Sequence, residues 1–297
     1  MKNVQEFSDG HAGYYGRPIV KPPEWTGLIP TYFWLGGCAG ASATLATASR
    51  LGKNHVAARV LIYAAALGSA GSAICLIADL KKPSRFLHMM RVFKPTSPMN
   101  LGVYLFGAFS GAAITAALSE VTGIARPLGR VAEAVAALCG PAMSVYTSVL
   151  IGDTVMPAWH YGRKSMPALF AATSAATAGA VGLCFIPPAN ARPARRLALL
   201  GGAAMPWAWS RLHRELGSFQ SQAYESGKAG ALANVARLLN AGGCLCALFA
   251  RRNARAARVA GFMILAAGLA ERFAVYEAGK NSAIDPRFTI EAQTTQV

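Results

Sequence analysis

Five stretches of this chain run for about 20 residues without a single Lys, Arg, Asp or Glu, the length a helix needs to cross a bilayer core. They are Leu28–Ser49, Val60–Ala78, Met99–Ser119, Ala134–Gly152 and Ser165–Pro187. Lipid offers backbone N–H and C=O groups no partners, so such stretches have to close their own hydrogen bonds as helices. Three later runs are weaker: Leu197–Ser210, Ala229–Ala250 interrupted by Arg237, and Val259–Tyr276 interrupted by Glu271 and Arg272. Arginine can lie along apolar surface and carry its charge to the interface. The pattern therefore predicts five to eight spans and favours eight. Gly36 with Gly40, and the Gly68–Ser72 stretch, give the small faces that let helices pack closely in lipid.

Composition supports the same class. Of 297 residues, 54% are hydrophobic and 14% charged, against about 25% charged in a soluble protein. Mean hydropathy is +0.34. The net charge of +16 would suggest nucleic acid in a soluble chain. Here the cations lie between apolar runs, where topology and lipid headgroups explain them better. With eight spans both termini share one side. The short connections Arg50–Arg59, Arg126–Arg130, Arg192–Arg196 and Arg251–Arg258 concentrate cations on the other side. Short Lys/Arg-rich loops mark the cytoplasm, so the termini and long loops are expected outside. The first 27 residues lack the apolar centre of a cleavable signal, so the first span is expected to act as its own insertion signal.

Few residues could carry chemistry. The six cysteines lie inside apolar runs without a CxxC pair, which predicts neither an iron–sulfur cluster nor zinc in this chain. No two of the five histidines lie mid-span on facing helices, which predicts no haem. Ionisable groups beside spans are functional candidates: Asp79, Glu133, Asp153 and Glu271. For Glu133 and Asp153, a charge resting in wet headgroups explains them at least as well. Asp79 stands out because it heads a basic, proline-rich connection to Pro98 with Lys81, Lys82, Arg85, Arg91 and Lys94. Tyr146, inside the fourth run, can offer a phenol to a carbonyl in an apolar pocket; the plain alternative is a bond to backbone. Trp159 and His160 follow that run, where an aromatic belt residue is the ordinary reading.

Three segments carry a family resemblance. Tyr15–Trp25 with Tyr32–Ser42, the connection Asp79–Met99, and Tyr146-Thr147-Ser148-Val149-Leu150 with Pro157-Ala158-Trp159 resemble the membrane subunits of the NrfD / polysulfide reductase family over roughly residues 14–187. The resemblance implies an all-α integral membrane protein of eight helices in two four-helix bundles, 28–152 and 165–276, between an N-terminal extramembrane segment (1–27) and a C-terminal tail (277–297). It implies a prokaryotic inner membrane, and a quinone (menaquinone or ubiquinone) bound as substrate in the first bundle. It also implies a four-iron ferredoxin-like iron–sulfur partner, completed by a molybdenum or tungsten catalytic subunit or a multihaem cytochrome. Asp79, Tyr146 and Glu24 are then expected to handle protons, Glu24 standing where some members have His. Tyr146, Trp25, Arg85, His88, Ser97 and Trp159 are expected around the quinone. Ser148 replaces the family's Gly.

Two other classes fit parts of this pattern. A transporter also uses small-residue bundles and helix-end acids, but no inverted repeat or pair of broken helices is visible. A purely structural anchor would keep the basic connection and need neither Asp79 nor Tyr146.

Overall fold

The computed structural model of the chain describes residues 19–80, 82–84, 88, 91, 93–251 and 253–294, the last four without side chains. The α-helices among them are, in chain order, α1 (Leu28–Leu51), α2 (His55–Asp79), α3 (Pro98–Thr122), α4 (Arg126–Gly152), α5 (Pro157–His160), α6 (Met166–Phe185), α7 (Arg192–Gln220), α8 (Gln222–Glu225), α9 (Gly227–Phe249), α10 (Ala254–Ile284) and α11 (Arg287–Thr294). No strand occurs among the described residues. Six helices, α2, α3, α4, α6, α9 and α10, are long and apolar enough to cross a membrane, and the chain is a multi-pass membrane protein. Helices α1 and α7 have the length but a more polar composition. Tyr, Trp, Thr and Gly dilute α1, and Arg192, Arg195, Arg196, Arg211 and Arg214 dilute α7. The weak runs also prove longer than hydropathy suggests. Helix α7 starts before Leu197 and ends beyond Ser210, and α10 continues past Tyr276 to Ile284.

Local chemistry sets the ends. Asn54 caps α2 by accepting the Ala57 N–H, and Asn253 caps α10 by accepting those of Arg255 and Ala256. Proline begins α3, where no N–H is needed. Gly217, at φ 71°, breaks the last turn of α7 and sends the chain into α8. The long helices alternate in direction, so Asp79, α5, α8 and the start of α9 share one end, and Arg50, Glu120 and Asn190 share the other.

Small residues govern the packing. Helix α1 packs against α2 and α4, and α3 against α4 and α2; α6 packs against α7 and α10, and α9 against α10 and α7. At the α1–α4 crossing Gly40 meets Gly140 so closely that a Cβ on either would strike the other's carbonyl. Contacts of α6 with α1 and α4, and of α10 with α1, join the two sets. Glu271 and Arg272 lie at that junction, fully buried. Arg272, which interrupts the last weak run, thus keeps its charge inside rather than at the surface. Its Nη1 lies 2.7 Å from Glu271 Oε2, its Nη2 donates to Phe170 O and Ser174 Oγ on α6, and its guanidinium lies 3.6 Å from the Phe170 ring centre. A buried charge persists only when paired and hydrogen-bonded in this way.

At the Arg50 end, Arg50 donates to Glu133 at 2.8 Å and Glu120 at 3.2 Å, and Arg59 and Arg130 join the same carboxylates. Glu133, one of the candidate acids, is thus 4% exposed within an ion-pair network.

Candidate functional site

Two prolines interrupt helix bonding inside the molecule. Pro141 of α4 has no N–H for Ala137 O, and Thr44 Oγ1 of α1 donates to that carbonyl at 3.3 Å. Pro206 of α7 leaves Gly202 O in the same position, and Asn240 Nδ2 of α9 donates to it at 2.9 Å. Beyond Pro141, toward the Asp79 end, one cavity opens, and a second runs along α7 on both sides of Pro206.

The first cavity, about 180 Å³, lies among α1, α2, α3 and α4. Ile29, Phe33, Leu76, Phe106 and Leu150 make its walls apolar; Trp25, Tyr32, Asp79 and Tyr146 supply its polar atoms. Tyr146 crosses the start of α3 over Gly102, where any Cβ would collide with the phenol. Its hydroxyl donates to Pro98 O at 3.0 Å. The single phenolic proton is engaged there, and the oxygen remains free to accept a hydrogen bond.

Asp79 is the last residue of α2, an unfavourable place for a carboxylate in its own helix dipole. It is held instead at the start of α1, where the dipole favours it. Thr26 N–H donates to Asp79 Oδ1 at 3.0 Å and Thr26 Oγ1 donates to the same oxygen at 2.6 Å. Trp25 stands beside this clasp. Its ring stacks on Trp159 at 5.9 Å and 12°, and its carbonyl accepts the Tyr276 hydroxyl. Trp159 is wholly buried and donates from Nε1 to Val275 O at 2.8 Å.

Of the expected residues, then, Trp25, Asp79 and Tyr146 meet on one cavity. Trp159 does not line it and acts through Trp25. Glu24 pairs with Lys21 at 2.5 Å on the exposed side. Ser97 is half-buried next to Pro98, and His88 is exposed with its carbonyl accepting the Arg91 N–H. None of these three lines the cavity. Arg85, and residues 14–18 of the resembling N-terminal segment, lie outside the described residues.

Two residues, one lining the cavity and one holding Asp79 beside it, carried no sequence assignment. Tyr32 is 4% exposed and packs edge-on to Phe106 at 6.1 Å. Its hydroxyl forms no hydrogen bond among the described residues, leaving a second phenol for a bound oxygen. One turn either side of it, Ile29 and Gly36 mark the inward face of α1, the available signal. Thr26, which holds Asp79, had none.

The arrangement offers an apolar cavity lined also by two phenols and a carboxylate. It can take an aromatic ring with oxygens on its edge and exchange O–H protons with water through Asp79. Among the described residues no group of three His, Cys, Asp or Glu is placed to hold a metal ion. The NrfD_2 polysulfide reductase family model matches residues 11–288, nearly the whole chain. No curated protein matches the chain.

Proposed function

The chain belongs to the NrfD-type polysulfide reductase family, and from that premise we propose that it is the quinone-reactive membrane anchor of a multi-subunit oxidoreductase. It exchanges electrons between the membrane quinone pool and an iron–sulfur partner subunit, itself joined to a molybdenum or tungsten enzyme or a multihaem cytochrome. Family membership supports the coarser part, a membrane subunit of an oxidoreductase complex. The observation that carries the finer part is the α1–α4 cavity, in which Tyr146, Tyr32 and Asp79 surround an apolar slot.

A bound quinone supplies two-electron, two-proton redox chemistry. The residues do the rest. Ile29, Phe33 and Phe106 exclude water. Tyr146 accepts an O–H with its free lone pair, or donates to a carbonyl on leaving Pro98 O. Tyr32 offers a second phenolic proton. Asp79, at the wet end of α2, takes a proton and passes it outward.

Eight spans in two groups of four, α1–α4 and α6, α7, α9 and α10, fit the contacts and the alternating directions. The positive-inside bias puts the termini, the Asp79 end and the partner on the periplasmic side of a prokaryotic inner membrane. Proton translocation fits the buried Glu271–Arg272 pair, since an ionisable pair inside a bundle is a station for charge.

The test is Tyr146→Phe in the intact complex. Quinol-linked turnover falls by about tenfold or more, the value of one lost hydrogen bond in the transition state. A structural-anchor reading has its own support, because Tyr146 and Asp79 both hold backbone groups. It predicts unchanged turnover with about 1 kcal/mol less stability, and that result would overturn the quinone role.

A further inference from the structure

A larger slot lies between α7 and α9, outside the cavity just described. It encloses about 680 Å³. Leu199, Ala203, Pro206, Ser210 and His213 of α7 follow one another at intervals of three or four residues along its wall, a single helix face. From Leu199 to His213 that face extends about 21 Å at 1.5 Å per residue. Helices α7 and α9 meet far less extensively than α6 with α7 or α9 with α10. The Asn240–Gly202 bond fastens them midway, and the slot runs past it.

The slot has two unlike ends. At one, Leu199 and Leu248 make it apolar. At the other, His213 Nδ1 lies 3.2 Å from Glu225 Oε1, and the Arg237 guanidinium lies 5.3 Å from the Trp209 ring centre. Two buried nitrogens here have no partner among the described residues, His213 Nε2 and Trp209 Nε1. Trp209 is only 3% exposed. A buried, unpaired polar atom costs about 1–3 kcal/mol, and two of them on side chains that line one slot point to a ligand that satisfies them. With Nδ1 bonded to the carboxylate, a neutral imidazole presents Nε2 as an acceptor, while the indole N–H is a donor. A head bearing both hydroxyl and carbonyl oxygen meets both. The carboxylate of Glu225 offsets the guanidinium of Arg237, so the head site favours a neutral group over a phosphate.

We propose that the α7–α9 slot is a second binding site for a neutral, long-tailed amphiphile of the quinol class, its ring beside His213 and Trp209 and its tail along α7. The identification of the ligand as a quinol rests on the quinone-reactive reading above. The two sites are physically joined. Trp209 packs edge-on to Tyr224 at 5.8 Å, and the Tyr224 hydroxyl donates at 3.1 Å to Ala158 O, next to the Trp159 that backs Trp25. Burial pushes the Tyr224 phenol up, which keeps that donor protonated.

The test uses the full-length chain in detergent, irradiated with an azido-naphthoquinone bearing a decyl tail, with the labelled peptides mapped. Label is expected in two regions, 98–152 and 192–249. Ala203→Phe fills the slot from a lipid-facing position, and His213→Ala removes the head contact. Each lowers labelling of 192–249 by about tenfold, a 1.4 kcal/mol change, with labelling of 98–152 unchanged. His213→Gln, which retains an acceptor, restores part of it. An unlabelled 192–249 beside a labelled 98–152 overturns the slot alone. Label in 192–249 and none in 98–152 overturns the first quinone site alone. Labelling of 192–249 that both variants leave intact, or that phosphatidylglycerol displaces and unlabelled quinone does not, overturns the proposal in favour of incidental lipid contact.

Discussion

The α1–α4 cavity lies at the Asp79 end of the molecule, whereas the α7–α9 slot runs along α7 from Leu199 to His213, and the two are built differently. Each is walled by a helix that carries a proline, and in each the freed carbonyl is bonded by a neighbouring helix, through Thr44 in one and Asn240 in the other. In the first cavity, Tyr146 and Asp79 already hold Pro98 O and Thr26. In the slot, His213 Nε2 and Trp209 Nε1 hold nothing among the described residues. The difference separates two ways of preparing a polar group. One is locked in place by backbone and has to share its bond with a ligand. The other is left hungry and closes only on binding.

The largest effect expected on this comparison comes from the junction both halves lean on. Arg272→Met strands Glu271 in the interior, and loses about 3–5 kcal/mol of stability, read from denaturant unfolding in detergent. A smaller loss would mean that water reaches the pair. Next come the two carbonyl bonds. Asn240→Leu orphans the buried Gly202 O and costs about 1–3 kcal/mol. Thr44→Val costs less, because its bond to Ala137 O is long and shared with Gly40 O. Equal losses would break the contrast between a pinned slot and a packed crossing. Thermal unfolding of the two single variants measures it.

The smallest effect is at the tail. Hydrogen bonds from Arg287 hold the Asp285 carboxyl below its usual range. A depressed carboxyl contributes stability above its unfolded value of about 3.9, and loses that contribution as pH falls through the lower folded value. The Arg287 side chain is 76% exposed, so the contribution is under about 1 kcal/mol. Hydrogen exchange in α11 should quicken only in acid, and Asp285→Asn should flatten that response.

Much of the architecture could be read from the chain. Charge-free runs gave the long helices of the first half, and Asp79 and Tyr146 declared themselves as polar groups beside apolar ones. Trp25 came from the family resemblance. What stayed hidden depended on direction and distance. Glu24, Ser97 and His88 are near the cavity along the chain, yet their side chains lie off its wall, and sequence spacing outside a helix does not fix where a side chain aims. Tyr32 sits among other aromatic residues, so nothing singled out its inward face. The setting of Arg272 stayed hidden because Phe170 and Ser174, its partners on α6, lie about a hundred positions away. Nothing in the spacing of His213 marked Glu225, which folds back onto it from α8, as its partner.

The residues before α1 have an unusual timetable. The Trp25 carbonyl is gripped by a hydroxyl emitted 251 positions later. At about 5–20 residues per second, roughly 13–50 s pass between the two leaving the ribosome. During that interval the front edge of the cavity has its Thr26 clasp to Asp79 and the stack of Trp25 on Trp159, and the Trp25 carbonyl waits. A nascent chain cut short before Tyr276 thus carries an unfinished rim, and the tenth helix certifies the first.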